Sequence, residues 1–362
     1  MIVYNILLLY IFIISILFGK NLKLKKQKII YLFLAFVPIT LVMGLRTKYV
    51  GTDTYSYCAY FREISNSTFK NAIDNNPVIW VVLNKFFALF GTKDINYILP
   101  LSVLISFFVA KFIYDNSENL KISVILYIIG YFYFSAFNVA RQFLAMAISI
   151  NSYKYLVNKN IDKRILKFII VNLIAIGIHP TSIIFLICFM LLMKPTKRNI
   201  IKVFSIAIVA LIAFVPISNI LVKYFPHYSM YVNENGITNT GFGIGKNRNF
   251  IITIIYMTFE AIMFYLFSNN KDEKEKRNLF NFIIINGLAI FLGIMSLKSV
   301  MFSRIAWYFT IFSIIYIPYI FKYIKANQRM PIEIMYIIIM IIPYYVQLKD
   351  NISGVLPYYF NF

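Results

Sequence analysis

Charge is scarce in this chain. Only 14% of its 362 residues are Asp, Glu, Lys or Arg, against roughly a quarter in soluble domains. No polar stretch exceeds about 35 residues, so no separate soluble domain is visible. There are two cysteines, Cys58 and Cys188, and their placement carries neither a disulfide nor a metal pattern. No nucleotide-binding loop, zinc site or catalytic-triad signature occurs. Acids number 14 and are sparse in the segments assigned below to the outer side. Neither a metal nor any other cofactor is therefore expected. The net charge of +22 does not argue for nucleic acid. In a membrane protein, Lys and Arg are first a topology signal.

What the chain has instead is apolar length. Hydrophobic residues make up 60% of it, and the mean hydropathy is +0.73. Apolar runs of roughly 15–20 residues recur throughout, close to what a hydrocarbon core of about 30 Å requires of a helix. The expected fold is all-α: a polytopic integral membrane protein forming one transmembrane domain over 1–362. Spans are placed at 2–18, 29–45, 95–113, 122–137, 138–153, 165–178, 181–193, 200–216, 250–268, 279–296, 304–321 and 331–348, about 12 transmembrane helices. The run near 77–92 is short, follows Asn76-Pro77 and holds Asn84 and Lys85, so it is expected to be a re-entrant or surface helix. No cleavable signal peptide is expected, because the charges follow the apolar run 2–18 instead of preceding it.

Treating 77–92 as non-spanning places 20–28, 111–121, 154–167, 194–202, 269–278 and 322–330 on the cytoplasmic side. Those segments hold 23 of the 36 Lys and Arg. The remainder divides unevenly. Eight of 27 Lys fall outside, but five of nine Arg do: Arg46, Arg62, Arg141, Arg248 and Arg304. A guanidinium offers a planar fork of donors to phosphate or carboxylate, where Lys is a point charge. Outer arginines therefore read as anion ligands, the alternatives being local carboxylate partners or lipid headgroups.

The richest segment is Arg46-Thr47-Lys48-Tyr49-Val50-Gly51-Thr52-Asp53-Thr54-Tyr55, polar and charged at the end of a hydrophobic helix. Arg141 and Gln142 follow Asn138 at a helix start, where a charge is costly unless paired or solvated. His179 precedes Pro180 and Thr181 at the outer end of a span, and its unperturbed pKa suits proton transfer near neutrality. Arg304 begins another outer helix beside Trp307 and Tyr308. The outward loops 46–76 and 217–249 are expected to contribute to a site, the second through His227, Tyr231 and Arg248. Glu260 is an acid deep in a span, open to a functional or a structural reading.

Arg46 with Val50-Gly51-Thr52-Asp53-Thr54 and Tyr57, then Asn138…Arg141-Gln142…Ala145, His179-Pro180-Thr181, and Arg304 with Tyr308 and Pro318, resemble the EpsG family of polysaccharide polymerases, relatives of the Wzy O-antigen and capsule polymerases. One departure is Asn75-Asn76-Pro77 where family members often carry Glu, which leaves that role open or passes it to Asp74. The resemblance implies a membrane glycosyltransferase that polymerises undecaprenyl-pyrophosphate-linked oligosaccharide repeat units at the outer face of the bacterial cytoplasmic membrane. It implies the lipid-linked oligosaccharide and the bilayer as partners, and it allows a chain-length regulator. Arg46, Arg141, Arg304 and Arg248 would bind pyrophosphate. Tyr57, Gln142, His227 and Tyr231 would bind sugar. His179 would be the base, with Asp53 the other candidate or an orienter. A lipid-linked oligosaccharide flippase or transporter, and a glycan ligase with similar chemistry, are the competing readings.

Overall fold

The computed structural model describes the backbone of all residues except 20–21, 23, 225–242, 297–299 and 362, and side chains except at those positions and at 211–224, 243–252, 300 and 301. Among the described residues the chain is helical, with one isolated antiparallel bridge between Arg46 and Phe360. The helices gather into two compact units, Met1–Leu186 with Ile314–Phe362, and Ile187–Ser313.

The first unit opens with α1 (Ile2–Leu17) and α2 (Lys25–Gly44). Three shorter helices follow: α3 (Thr54–Asn66), α4 (Phe69–Asn75) and α5 (Val78–Ala88). The 11 residues of α5 span about 16 Å at helical rise, too short to cross a bilayer. Next comes α6 (Asp94–Asn116), which packs on α2, α5 and the later α9. The pair α7 (Leu120–Ile129) and α8 (Phe132–Asn138) is bent by 50°. The bend has a local cause: Tyr131 takes φ 70 after Gly130. A left-handed tyrosine costs about 1 kcal/mol or more. It is held by burial and by its hydroxyl, which donates to Gln347 O at 3.2 Å. Then come α9 (Ala140–Asn151), α10 (Tyr153–Val157) and α11 (Arg164–Ile176). Beyond α11 lies a 3-10 helix, Pro180–Leu192.

Polar clusters mark both ends of α6. At its start Asp94 pairs with Arg62 and with Lys48, the latter at 3.5 Å. Near its end Asp115 pairs with Lys111 at 3.0 Å and Lys154 at 3.1 Å. The two acids are about 32 Å apart along the helix, one hydrocarbon thickness. Three of the segments assigned to the cytoplasm, 111–121, 154–167 and 322–330, meet at the Asp115 end, where Lys322 also reaches Glu118 at 3.8 Å.

In the second unit, α14 (Glu273–Ser296) packs on α12 (Lys197–Tyr224), α13 (Gly243–Asn269) and α15 (Val300–Thr310). Glu260 on α13 accepts a 2.7 Å hydrogen bond from Asn286 on α14. The helix-to-helix bond that the sequence left open for this acid is thus made. The first unit ends with α16 (Ser313–Phe321), whose residues from Ile314 onward belong to it, and α17 (Ala326–Lys349).

Five helices among the described residues are long and apolar enough to cross a membrane, six if the bent pair counts as one span. Exposed Ile334, Ile338 and Ile342 on α17 form an outward apolar stripe of the kind that suits a lipid surface. This is a membrane protein. The expected count of about twelve is not confirmed: among the described residues, apolar runs such as Ile2–Leu17 and Pro180–Leu192 fold as helices of 10–17 residues, and the expected spans 200–216 and 250–268 lie partly outside the residues whose side chains are described.

Candidate active site

The loop after α2 is built by contacts that lie far away in sequence. Asn361 N donates to Leu45 O at 2.7 Å and Thr47 N to Tyr359 O at 3.0 Å, so the C-terminal tail runs against the loop as a short antiparallel pair. Gly51 N then donates to Gly354 O at 2.8 Å, and Thr52 N to Ser353 O at 3.3 Å. Gly51 sits at φ +100, and a Cβ there would lie 2.6 Å from Thr54 Oγ1 and 3.1 Å from both Phe137 O and Asn138 Oδ1. Both the backbone angle and the space call for glycine.

Arg46 is the keystone of this loop. It is 3% exposed. Its Nε donates to Val50 O at 3.2 Å, one Nη to Phe137 O at 3.2 Å and the other to Met43 O. The guanidinium lies 4.4 Å from the Phe137 ring centroid. Burial away from water lowers its pKa to about 10, which still leaves it charged at neutral pH. Thr54 Oγ1 reinforces the same carbonyls, Val50 O at 2.9 Å and Phe137 O at 3.2 Å. In this arrangement Arg46 positions the loop. The expected role as a direct pyrophosphate ligand requires it to leave those carbonyls.

The bend at Tyr131 delivers the second segment. It sends the C-terminus of α8 to the loop, where Asn138 Oδ1 accepts from Thr52 N at 2.8 Å. One helical turn further on, α9 presents Arg141. Its Nε donates to Ile178 O at 2.8 Å, and its guanidinium lies 5.2 Å from the Trp80 ring centroid. Trp80 N in turn donates to Gly177 O at 3.0 Å. A Cβ at Gly177 would lie 2.6 Å from Ile79 Cδ1, so a glycine lets α5 approach this closely. His179 therefore lies one residue beyond the carbonyl that holds Arg141. Its Nδ1 is 2.8 Å from Thr181 Oγ1 and accepts from Thr181 N at 3.3 Å. Segment 137–141 thus joins the 46–54 loop to the 177–181 turn.

Arg141 differs from Arg46 in what its donors do. It is half-buried, and among the described residues its terminal N–H groups have no hydrogen-bond partner and no carboxylate pairs with it. A partly desolvated cation without a counter-charge favours an anion at that place. The hydroxyls of Tyr57 and Tyr97 lie within its electrostatic reach.

A family model described as the EpsG family matches residues 28–360. The chain belongs to the EpsG family. This is a Wzy-like polysaccharide polymerase family. No curated protein matches the chain, and no solved structure does.

The other EpsG-family positions named from sequence fall as follows. Asp53 is half-exposed at the start of α3 and accepts from Thr52 Oγ1 at 3.1 Å. Tyr57 is half-buried on α3, and Gln142 is buried on α9. Asp74 is exposed at the end of α4. Arg304 is exposed in the second turn of α15, in the second unit. His227 and Tyr231, and the side chain of Arg248, lie outside the described residues. Sequence reasoning did not place Trp80, Asp94 or Gly354 at the site. Asp94 opens an apolar helix like any acid in a first turn, and Gly354 declares itself only through φ +59 and its bond to Gly51.

Proposed function

We propose that this EpsG-family protein is a polyprenyl-pyrophosphate-dependent glycosyltransferase. It polymerises undecaprenyl-pyrophosphate-linked oligosaccharide repeat units at the outer face of the bacterial cytoplasmic membrane, for an O-antigen, capsule or exopolysaccharide. The whole chain acts as one transmembrane domain with no cofactor. The observation that carries the reading is Arg141: a half-buried guanidinium with unclaimed terminal donors, beside His179, in a membrane protein of a polysaccharide-polymerase family.

In the reaction, an acceptor sugar hydroxyl on one lipid-linked unit attacks the anomeric carbon of the growing chain. The bond from that carbon to the pyrophosphate oxygen breaks, a new glycosidic bond forms, and the hydroxyl proton passes to a base. Undecaprenyl pyrophosphate leaves. Charge develops on the departing oxygens, where forked donors are most effective. Arg141 supplies them, while Arg46 acts through the loop it holds. His179 is the base that takes the hydroxyl proton, its imidazole being the side chain suited to proton transfer near neutrality. Asp53 is the other candidate base, or an orienter of a sugar hydroxyl. Tyr57, Gln142, His227 and Tyr231 contact sugar. A chain-length regulator acts as partner.

Purified protein given lipid-linked repeat units in detergent, with no nucleotide, is expected to yield a ladder of polymers. Movement of the lipid-linked glycan across vesicles without bond formation would assign the flippase reading instead. Transfer only to a different acceptor would assign the ligase.

A further inference from the structure

Tyr49, on the loop that follows α2, and Tyr55, in the first turn of α3, are 69% and 52% exposed. Their ring centroids are 6.2 Å apart with planes inclined by 23°. Lys48 Nζ lies 5.5 Å from each centroid, and the same ammonium is 3.5 Å from Asp94 Oδ2, which also binds Arg62. The cation thus fixes both rings to the start of α6. The loop between them is pinned at Gly51 and Thr52 to residues 353–354 and 138. The pair is a preorganised surface.

The composition of that surface selects its occupant. α3 buries Thr54, Cys58, Phe61 and Ile64 and turns Tyr55, Ser56, Tyr60 and Glu63 outward. A lipid-facing stripe in this protein looks different, as the isoleucines of α17 show. Tyrosine faces edged by a serine hydroxyl, the Thr52 hydroxyl and the Asp53 carboxylate offer an apolar plane with a polar rim. A pyranose ring has the matching form, with C–H groups on one face and hydroxyls around the edge.

We propose that Tyr49 and Tyr55, braced by Lys48 and Asp94, form a carbohydrate platform that binds pyranose rings of the glycan. The proposal rests on the polymerase reading for its ligand and adds a site to it. The platform sits on the same loop that Arg46 and Asn138 hold, so a glycan lying on it is led toward the 137–141 segment.

The test uses the full chain in nanodiscs and, as probe, fluorescent oligosaccharides cut from the polysaccharide of the source cell. Replacing both rings (Tyr49→Ala with Tyr55→Ala) should weaken binding about tenfold or more, whereas Tyr49→Phe with Tyr55→Phe should stay within about threefold. The single Tyr55→Ser variant, expected to weaken binding in the same direction, stands in if the double alanine variant fails to fold. No binding by the parent, equal binding by the ring-less variants, or equal losses in the Phe and Ala pairs would each overturn the platform. A spin label at Tyr55→Cys should relax with an aqueous nickel complex more than with oxygen; preference for oxygen would assign these rings to the bilayer surface and overturn it too. Binding requires no turnover. Ring-dependent binding without polymer leaves the platform standing alone, and polymer formation with ring-independent binding removes only the platform.

Discussion

Arg46→Lys is expected to lower thermal stability and polymer formation together. An ammonium cannot reach Val50 O, Phe137 O and Met43 O at once, nor lie flat on Phe137 as the guanidinium does. Thr54 Oγ1 still serves two of those carbonyls, so the loss is partial, roughly 3 kcal/mol from weakened bonds to a buried charge and lost ring contact. Displacing the loop by even about 1 Å is enough to reduce turnover roughly 10²-fold. The checks are the thermal midpoint in detergent and the ladder assay on the same preparation. An activity loss with an unchanged midpoint would contradict the positioning role and restore Arg46 as a direct ligand.

Arg141→Ala separates the two properties in the other direction. The side chain makes one hydrogen bond among the described residues, to Ile178 O, and one ring contact, to Trp80. Its removal should cost no more than about 1–2 kcal/mol of stability. Losing forked donors to the leaving pyrophosphate should reduce turnover by roughly 10²–10³. Arg141→Lys is expected to fall between, because a point charge keeps attraction but loses the bidentate fit. Initial rates from the ladder assay check this. Near-normal rates in Arg141→Ala would remove the leaving-group role.

These contrasting expectations for two arginines also show where the sequence stops being informative. Hydropathy located the helices, because a 16- or 23-residue apolar helix announces itself by composition. It did not separate a run that spans from one that folds as a short helix or breaks at Gly130-Tyr131, since both are equally apolar. The 46–55 segment stood out for its charge among lipid-soluble neighbours. Its anchoring did not. The tail 353–361, which pairs with Leu45, Thr47, Gly51 and Thr52, lies some 300 residues away, and no periodicity encodes that pairing. Nor does an arginine in a sequence reveal whether carbonyls or an anion will satisfy it. Arg46 and Arg141 looked alike until their acceptors were known. Asn138 was visible as part of a motif, but its bond to Thr52 N depends on a bend seven residues earlier.

The most direct test of the account is a photoreactive lipid-linked oligosaccharide, with the crosslinker next to the pyrophosphate, flashed with the full chain in nanodiscs and mapped by peptide mass. Adducts are expected within 46–60, 137–141 or 177–181, competed by unlabelled substrate and lost in Arg141→Ala. Adducts confined to the helices around Glu260, unaffected by that substitution, would contradict it.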